Sequence, residues 1–475
     1  MRARELIHTL LDEGTFRCWD GPLPDVRTSS GYATELAAAR ERTGLDESVT
    51  TGEGRLLGAR VAVMACEFAF LGGSIGVAAG ERLTAAVERA TAERLPLLAL
   101  PASGGTRMQE GTTAFLQMVK ITAAVAAHKA AHLPYLVYLR HPTTGGVFAS
   151  WGSLGHLTLA EPGALIGFLG PRVYEALHDT PFPKDVQTAE NLHAHGLIDA
   201  VVPVSGLARF LGTVLSVLNA RARPGSEEAP AMVDETPAWD SVLESRRPGR
   251  AGVRDLLRVA ATDVVRLRGT QTVTALARFG GNPCVLVGQD RDGPAPGPGA
   301  LRLARHGMRL AADLKLPLVT VIDTPGAELS QRAEEGGLAS EIALCLTDLI
   351  TLPAPTLSLL LGQGTGGAAL ALLPADRVLA AQHAWLSPLP PEGASAIVHR
   401  GTLHAPELAA AQRIRASDLR ADGIVDDVVP EDPHDRDQIS RAAGRALARE
   451  LAHLIAADGE QRLRLRRRRY RHVGL

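Results

Sequence analysis

Cysteine is scarce in this chain of 475 residues. The four that occur, Cys18, Cys66, Cys284 and Cys345, show no CxxC spacing, so neither a zinc site nor a framework of disulfides is predicted. A reducing, cytoplasmic compartment is therefore the expected location. Aromatic residues make up only 4% of the sequence, which leaves few rings on which nucleic-acid bases could stack.

Long apolar runs and an excess of one charge are also missing. No uninterrupted apolar run reaches the roughly 20 residues that a membrane-spanning helix needs, and the charged start of the chain does not resemble a signal peptide. The formal net charge of -2 gives no general attraction to nucleic acid or to anionic membranes. Partners must therefore be recognised through local sites.

What the sequence does contain is a repeat. The motif LPL occurs at 95–97 and again at 316–318, and paired glycines occur at 145–146 and again at 366–367. Both features recur at the same spacing in residue number, which we call the repeat offset, and a fixed offset over this distance indicates one fold used twice. We expect an N-terminal domain at 1–221 and a C-terminal domain at 253–475, joined by a linker at 222–252 that is rich in Pro, Glu, Ser and Arg.

Each half alternates short apolar runs that end in glycine with longer amphipathic stretches. Strands are predicted at 94–100 and 316–322, and helices at 108–131 and 334–352. Strands that are apolar throughout are typical of sheets covered on both faces, which predicts an α/β fold. The glycines fall at strand-to-helix junctions, where backbone N–H groups without an acceptor favour negative charge.

Two glycine motifs suggest other chemistry. The sequence GGSIG at 72–76 matches the nucleophile elbow of serine hydrolases, but the segment 66–71 separates it from the preceding apolar run, and we favour a turn that shapes a pocket. The sequence GQGTGG at 362–367 matches a dinucleotide-binding loop. Pro374 would end its helix early, and no acidic residue follows about 20 residues on, so we do not favour this interpretation.

Two further clusters have a plain alternative to a ligand site. His128 and His132 are four positions apart on a predicted helix and could bind a metal, but no carboxylate joins them at ligand spacing, and a solvated helix face is favoured. The arginines from Arg462 to Arg471 could hold phosphates of a nucleotide cofactor. A solvated or subunit-packing helix end is the alternative.

The paired glycines support a more specific hypothesis. The segments 103–107, SGGTR, and 364–368, GTGGA, each offer consecutive backbone N–H groups on turns with little side-chain obstruction. Such groups form oxyanion holes, and two of them indicate a reaction in which two oxyanions form. Tight packing of a turn is the alternative. Under the repeat offset these two segments do not correspond to one another, so an asymmetric pair of sites is expected.

The motifs around these glycines resemble a known family. The first half resembles the β subunit of bacterial acetyl-CoA carboxylase through SGGTRMQEG (103–111), PTTGGVFAS (142–150), AEPGALIGF (160–168) and GPRV (170–173). The second half is similar to the α subunit through FGGNP (279–283), IDTPGA (322–327), AEE (333–335), GTGGAALAL (364–372) and PEGASAI (391–397). The chain thus resembles the carboxyltransferase component of biotin-dependent acyl-CoA carboxylases, with β and α fused in one chain, from about residue 30 to about residue 430.

The resemblance implies two crotonase-like (ClpP/crotonase) ββα-spiral domains in tandem. It implies that acyl-CoA lies on the first domain, that biotin enters along the second, and that domains of different subunits meet in a homodimer or higher homo-oligomer. Gly104 and Gly105 would hold the thioester enolate oxygen, and Gly367 with Ala368 the ureido oxygen of biotin. The substrate-binding residues implied are Gly72, Gly73, Arg107, Gly145, Gly146, Gly326 and Gly366.

The function implied is transfer of a carboxyl group from carboxybiotin on a carrier protein to a short acyl-CoA, with acetyl-CoA giving malonyl-CoA for fatty acid biosynthesis. No Met-Lys-Met biotinylation site and no phosphate-binding loop for ATP occurs, so a biotin carboxyl carrier protein and a biotin carboxylase are expected as separate partners. The β subunit has a four-cysteine zinc ribbon where only Cys18 stands here, so no zinc is expected. A malonyl-type acyl-CoA decarboxylase and a non-catalytic scaffold that binds acyl-CoA or a partner remain the alternatives.

Overall fold

A computed structural model describes residues 1–24, 26, 29–220, 223, 235–269, 272–432 and 434–473. The chain divides into two compact units, unit 1 (Met1–Leu215) and unit 2 (Ser216–Leu475). Within the described ranges, no helix is long and apolar enough to cross a membrane.

Unit 1 alternates strands and helices along most of its length. Its helices are α1 (Ala3–Leu10), α2 (Ser30–Thr43), α3 (Val77–Ala92), α4 (Gly111–Phe115), α5 (Gln117–Ala130), α6 (Gly145–Phe148), α7 (Pro171–His178), α8 (Ala189–Ala194) and α9 (Val204–Leu218), the last continuing into unit 2. Its strands are β1 (Arg17–Cys18), β2 (Val49–Leu56), β3 (Ala59–Cys66), β4 (Leu97–Leu100), β5 (Tyr135–Leu139), β6 (Thr143–Thr144), β7 (Leu157–Ala160), β8 (Ile166–Gly167) and β9 (Ala200–Val201). Short 3-10 turns lie at Leu71–Gly73, Met108–Glu110 and Trp151–Ser153.

The main sheet of unit 1 has the strand order β1-β2-β3-β4-β5-β7-β9. The first three strands pair antiparallel, and those from β3 onward pair parallel. Every residue of β4 and β5 is buried, as expected for parallel strands with both faces covered. The carboxyl ends of these parallel strands therefore share one edge, which brings the turns after β4 and β5 together.

Unit 2 repeats this arrangement. Its helices are α10 (Ala238–Ser245), α11 (Val253–Ala260), α12 (Pro298–Asp313), α13 (Gln331–Glu335), α14 (Leu338–Thr351), α15 (Gly366–Leu370), α16 (Pro391–His399), α17 (Ala405–Ala411), α18 (Ala416–Ala421), α19 (Gln438–Ala456) and α20 (Gly459–Arg471). Its strands are β10 (Thr262–Arg266), β11 (Thr272–Phe279), β12 (Asn282–Gln289), β13 (Leu318–Thr324), β14 (Thr356–Thr365), β15 (Arg377–Ala381), β16 (Trp385–Ser387) and β17 (Asp427–Val429).

The sheet of unit 2 has the order β10-β11-β12-β13-β14-β15-β17, with β16 paired to the end of β14. Its first three strands are again antiparallel and the rest parallel. In unit 1 Leu97 pairs with Tyr135, and in unit 2 Leu318 pairs with Thr356, so the repeat offset relates both members of the two pairs. The predicted α/β fold used twice is confirmed.

Local details differ from the sequence-based expectations. The helix predicted at 108–131 is interrupted, because Gly111 has a φ of 59° and α5 starts only at Gln117. The helix predicted at 334–352 is interrupted at Gly337, whose φ is 81°. Part of the predicted linker forms α10, where Ala238 and Val242 are buried. Most residues from 221 to 234 lie outside the described part of the chain, and the domain bounds at 221 and 253 remain a prediction.

Candidate functional site

Two glycine turns of unit 1 lie against each other. Ser103, after β4, forms a bridge with Thr143, after β5, and the N–H of Thr144 donates to the Ser103 carbonyl at 2.8 Å. A Cβ atom built on Gly105 would lie 3.2 Å from the amide nitrogen of Gly146. Two predicted site segments, 103–105 and 145–146, therefore form one surface of bare backbone.

The amides of Gly104 and Gly105 are already hydrogen-bonded within this surface. The N–H of Gly104 donates to the Gly72 carbonyl at 2.9 Å, and the N–H of Gly105 donates to Ser103 Oγ at 3.0 Å. Neither N–H is free in this conformation, because each has an acceptor inside the protein. The role of these two amides as oxyanion donors stays a prediction.

The free donors of unit 1 lie in the second glycine turn, at the start of α6. Gly146 and Val147 occupy the second and third positions of α6, where an N–H has no acceptor inside the helix. The N-cap residue Thr144 makes no side-chain cap bond, and the backbone bonds of the described residues include none from these two N–H groups. Gly145, with a φ of 63°, donates to the Phe168 carbonyl at 2.9 Å. The N–H groups of the pair 146–147 can therefore donate to an oxygen atom that develops negative charge.

Unit 2 presents the same arrangement at the start of α15. Gly366 has a φ of 65°, and Gly367 and Ala368 take the second and third helical positions, again without a side-chain cap bond from Thr365. The N–H groups of Gly367 and Ala368 have no backbone acceptor among the described residues. The repeat offset relates this pair to the pair 146–147. The free donors thus occupy matching positions in the two units. The asymmetric pair of sites expected from the sequence stays a prediction.

The first turn of unit 2 also mirrors its counterpart. The N–H of Gly326 donates to Thr324 Oγ1 at 3.2 Å, just as Gly105 donates to Ser103 Oγ. Gly326 has a φ of 141°, which a residue with a side chain rarely adopts. It shapes the turn beside Thr365, whose Cγ2 would be 3.9 Å from a Cβ on Gly326. Its substrate-binding role stays a prediction.

Two buried hydroxyl groups lie beside the second free-donor pair. Thr365 and Ser387 are directly paired across β14 and β16 and are 2% and 4% exposed, and neither hydroxyl has a hydrogen-bond partner among the described residues. In unit 1 the equivalent pairing joins Thr144 to Gly167, which has no hydroxyl. Because buried polar groups are normally satisfied, this pair fits a polar group of a ligand or an ordered water.

Arg107, a predicted substrate-binding residue, lies beneath the glycine turn. Its side chain is completely buried, and its guanidinium donates to both carboxylate oxygens of Glu47, at 2.9 and 2.5 Å, and to the Ser74 carbonyl at 2.7 Å. Burial alone would lower the pKa of Arg107, but the hydrogen bonds and charge of Glu47 outweigh it and raise that pKa. The donors of Arg107 are thus occupied beneath the glycine turn, and its substrate-binding role stays a prediction.

The Arg107 cluster continues to the amino end of α3. Tyr32 Oη lies 3.3 Å from Arg107 Nη1 and donates to Glu110 Oε1 at 2.5 Å. The other oxygen of Glu110 accepts the N–H of Val77 at 2.6 Å. Burial, followed by the hydrogen bond to Glu110, raises the pKa of Tyr32. These hydrogen bonds hold the segment that follows the first glycine turn, from Arg107 to Glu110, against the start of α3.

The turn at 72–74 supports the glycine surface and does not form a nucleophile elbow. A Cβ on Gly73 would collide with the Ala102 carbonyl, and Gly72 accepts the N–H of Gly104. Ser74 Oγ donates to the Leu71 carbonyl at 2.7 Å and accepts from Arg107 Nε at 3.2 Å. No base activates this hydroxyl through these bonds, so the structure gives the serine hydrolase hypothesis no support.

The dinucleotide and metal hypotheses receive no support either. Gly362 and Gly364 lie within β14 and not on a phosphate-binding turn, and a Cβ on Gly362 would collide with the carboxylate of Asp323. His128 is buried, contrary to the solvated face expected, and its ring nitrogens contact Thr91 Oγ1 at 2.9 Å and the Pro134 carbonyl at 3.2 Å. Across the described residues, no group of three or more His, Cys, Asp or Glu could hold a metal ion.

The arginines of the C-terminal run lie on two faces of α20, one buried and one exposed. Arg466 is buried and donates to Asp376 Oδ2 at 2.7 Å, Arg462 donates to the Pro353 carbonyl at 2.6 Å, and Arg469 donates to the Ile424 carbonyl at 2.5 Å. These three arginines fasten the helix to unit 2. The exposed arginines are Arg464, Arg467, Arg468 and Arg471.

Gln289 and the buried hydroxyl pair were not predicted from the sequence. Gln289 is 2% exposed, and its side chain touches α15. Its position at the carboxyl end of β12 was a usable indication, since a polar residue that ends an apolar run often faces a site at that edge. The hydroxyls of Thr365 and Ser387 gave no such indication, because their pairing depends on the fold of β16 against β14.

Comparison with solved structures defines the class of fold. A transcarboxylase 12S crystal structure, described as a hexamer with methylmalonyl-coenzyme A and methylmalonic acid bound, superposes with a TM-score of 0.80 at 22% identity, over 96% of this chain and 90% of that one. Together with the two matching sheets and their paired free amides, this likeness defines a tandem crotonase-like α/β protein.

The sequence comparisons then give the family. The model of the carboxyl transferase domain matches residues 1–455. The chain is 62% identical to the probable biotin-dependent acyl-coenzyme A carboxylase beta3 subunit of Mycobacterium tuberculosis (strain H37Rv), over 99% of this chain and 98% of that protein. It is 37% identical to the acetyl-coenzyme A carboxylase carboxyl transferase subunits beta/alpha of Salinispora tropica, over 98% and 89%. The chain belongs to the carboxyltransferase family of the biotin-dependent acyl-CoA carboxylases.

Proposed function

We propose that this chain transfers a carboxyl group from carboxybiotin, borne on a separate carrier protein, to a short acyl-CoA, with acetyl-CoA giving malonyl-CoA. The observation that carries the proposal is the matching pair of free donors at 146–147 and 367–368. A reaction with two developing oxyanions needs two such sites. The names of the relatives, an acyl-CoA carboxylase subunit and acetyl-CoA carboxylase subunits, support the acyl-CoA substrate class.

The residues of unit 2 fit a bound ureido group. The N–H groups of Gly367 and Ala368 would donate to its oxygen. The hydroxyls of Thr365 and Ser387, which have no hydrogen-bond partner within the described part of the chain, offer further polar contacts beside them. When bound, the biotin of the carrier supplies the carboxyl group and a ring nitrogen that takes a proton. The protein contributes fixed donors at the oxygen, which stabilise charge without reorganisation at the moment of reaction.

The residues of unit 1 would act on the acyl thioester. Charge develops on the thioester oxygen when the α-carbon loses a proton, and the N–H groups of Gly146 and Val147 would hold that oxygen. Gly104 and Gly105 would shape this surface, since their own N–H groups are engaged, and the glycines that keep it free of side chains would be Gly72, Gly73 and Gly145. Each donor is worth on the order of 100- to 1,000-fold in rate.

The test is to incubate the pure chain with carboxylated carrier protein and with acetyl-, propionyl- or long-chain acyl-CoA. Carboxyl transfer to acetyl-CoA is expected, and its product is measured by mass spectrometry. Transfer only to a longer acyl-CoA would overturn the substrate assignment. No transfer to any of them would contradict the proposed function, and release of CO2 from malonyl-CoA without biotin would favour the decarboxylase.

We also propose a homodimer or higher homo-oligomer that works with a biotin carboxyl carrier protein and a biotin carboxylase. A transcarboxylase with this fold is described as a hexamer, which supports self-assembly. Light scattering of the purified chain measures its mass directly, and a monomer at micromolar concentration would contradict the proposal. Metal analysis checks the expected absence of zinc, and one zinc ion per chain would contradict it.

A further inference from the structure

Gln289 joins three elements beneath the second pair of free donors. Its side-chain Nε2 donates to the Ala368 carbonyl at 2.7 Å, and its Oε1 accepts the N–H of Asp323 at 3.2 Å. Because one neighbour is a carbonyl and the other an N–H, only one orientation of the amide satisfies both. The side chain of Gln289 thus connects the end of β12 to the end of β13 and to α15.

The element that Gln289 contacts cannot hold itself in place. Helix α15 has five residues, far fewer than an isolated helix needs for stability, and its first turn carries the free N–H groups of Gly367 and Ala368. The carbonyl bound by Gln289 belongs to Ala368 itself, so this bond limits rotation of the backbone at one of the two donor residues. The side-chain amide is buried, where a hydrogen bond is stronger and its loss more costly.

The neighbouring Asp323 extends this support. Its Oδ1 accepts the N–H of Gln363 at 3.0 Å, and its Oδ2 lies 3.3 Å from Arg291 Nη1. Gln363 lies near the end of β14, just before Gly366, so Asp323 fixes the strand that leads into the donors. Gln289 connects the backbone of Asp323 to Ala368, which follows the turn at Gly366.

Unit 1 shows that the fold does not require such a contact. Cys66 occupies the matching place there, because it ends β3 as Gln289 ends β12, and the counterpart of Asp323 under the repeat offset is Ala102. The thiol of Cys66 is buried, but it has no amide that could donate to a carbonyl of α6. The sheet order and the free-donor geometry are nevertheless the same in unit 1. Gln289 is therefore a feature of the second site and not of the repeated fold.

We propose that Gln289 is a positioning residue for the biotin side of the reaction: it holds α15 so that the N–H groups of Gly367 and Ala368 point at the ureido oxygen. This inference rests on the proposed function and adds a residue that acts through the backbone, without contact to the substrate.

The experiment compares Gln289→Leu and Gln289→Glu with the control Thr320→Val. Leu removes the donor, and Glu keeps the size but presents an oxygen to the Ala368 carbonyl. Thr320 is a suitable control because its buried Oγ1 donates to the Leu372 carbonyl at 2.7 Å, a bond of equal length in the same unit but beyond the end of α15. We expect kcat to fall by up to about 100-fold in both Gln289 variants, with an unchanged Kd for acyl-CoA, and Thr320→Val to retain kcat.

Amide hydrogen exchange gives a readout that does not depend on turnover. Exchange over residues 366–370 is expected to be faster in Gln289→Leu than in the wild type and in Thr320→Val. Equal exchange in all three proteins would overturn the positioning role, whether or not kcat changes. Faster exchange with kcat kept at the Thr320→Val level would overturn it as well. A wild-type chain without carboxyl transfer would instead contradict the proposed function, while the exchange comparison would still decide whether Gln289 holds α15.

Discussion

The two units present free amides at matching positions but support them by different means. In unit 1 the turn is held from below by the buried ion pair of Arg107 and Glu47. In unit 2 the support is a neutral amide, Gln289, together with the carboxylate of Asp323, which itself pairs with Arg291. Burial, opposed by the nearby arginines, raises the pKa of Asp323, whereas the pKa of Arg107 is raised, against the effect of burial, by its close partner.

This difference teaches that the repeat preserves backbone geometry more strictly than side-chain support. Backbone donors are set by strand ends and helix starts, which both units share. Side chains beneath them need only satisfy one another, and an ion pair or an amide can do so. The two units therefore differ in the side chains under the turns, while their free donors occupy matching positions.

The largest effect is expected when the ion pair of unit 1 is broken. In Arg107→Met the carboxylate of Glu47, 2% exposed, would lose its partner, which typically costs about 3–5 kcal/mol in the free energy of unfolding. Thermal and denaturant unfolding measure this loss. The control is Arg60→Met, because the Arg60 side chain, which pairs with Glu53 and Glu93, is 46% exposed, so that solvent screens the charges and such pairs contribute little. Equal losses in both variants would show that the Arg107 cluster is not a structural support.

The next effect concerns the donors themselves. Gly145→Ala and Gly366→Ala place a Cβ at a φ of 63° and 65°, at 3.0 Å from the Gly104 carbonyl oxygen and 3.3 Å from that of Pro388. Movement of either turn should redirect the following N–H groups and lower kcat by on the order of 100- to 1,000-fold.

The controls for these two variants are Gly163→Ala in unit 1 and Gly423→Ala in unit 2. Both glycines also have a positive φ, 67° and 72°, but a Cβ there would meet nothing within 4 Å. They should lose about 1–2 kcal/mol of stability from the left-handed backbone and retain kcat. A steady-state assay in which the control and site variants behave alike would contradict the assignment of the free donors.

The smallest effect is a difference in acid sensitivity between the units. Burial lowers the pKa of His128 in unit 1 to about 4. Burial also lowers the pKa of His383 in unit 2, but there the negative charge of Glu431 opposes the effect of burial. Because the pKa is lower in the folded state, the histidine is protonated at a higher pH in the unfolded chain than in the folded protein. The free energy of unfolding therefore decreases as the pH falls below about 6.5. At about pH 5.5, His128 should lower the free energy of unfolding by about 1 kcal/mol relative to neutral pH.

Calorimetry at neutral pH and at about pH 5.5 checks this expectation. His128→Gln should lose less stability on acidification than the wild type, and His383→Gln should change the acid response less. If His128→Gln lost as much stability as the wild type between these pH values, burial of His128 would not be a source of acid sensitivity.

Much of the fold and part of the site could be predicted from the sequence. The repeat offset anticipated the matching pairs Leu97 with Tyr135 and Leu318 with Thr356, because duplicated strands keep their spacing. The glycine pair at 366–367 was recognised because consecutive residues without a Cβ are visible as a motif. The buried role of Arg107 could not be predicted, since nothing in the local sequence shows that the distant Glu47 occupies its guanidinium.

The sequence by itself determined the repeat, the α/β class, the family and the places where bare backbone could meet a ligand, because these depend on local residue types and their spacing. The tertiary structure alone decided which amides are free. Gly104 and Gly105 donate their N–H groups to Gly72 and Ser103, while the starts of α6 and α15 keep theirs. Whether a donor is available depends on which acceptor the folded chain brings to it, and that acceptor can lie anywhere in the sequence.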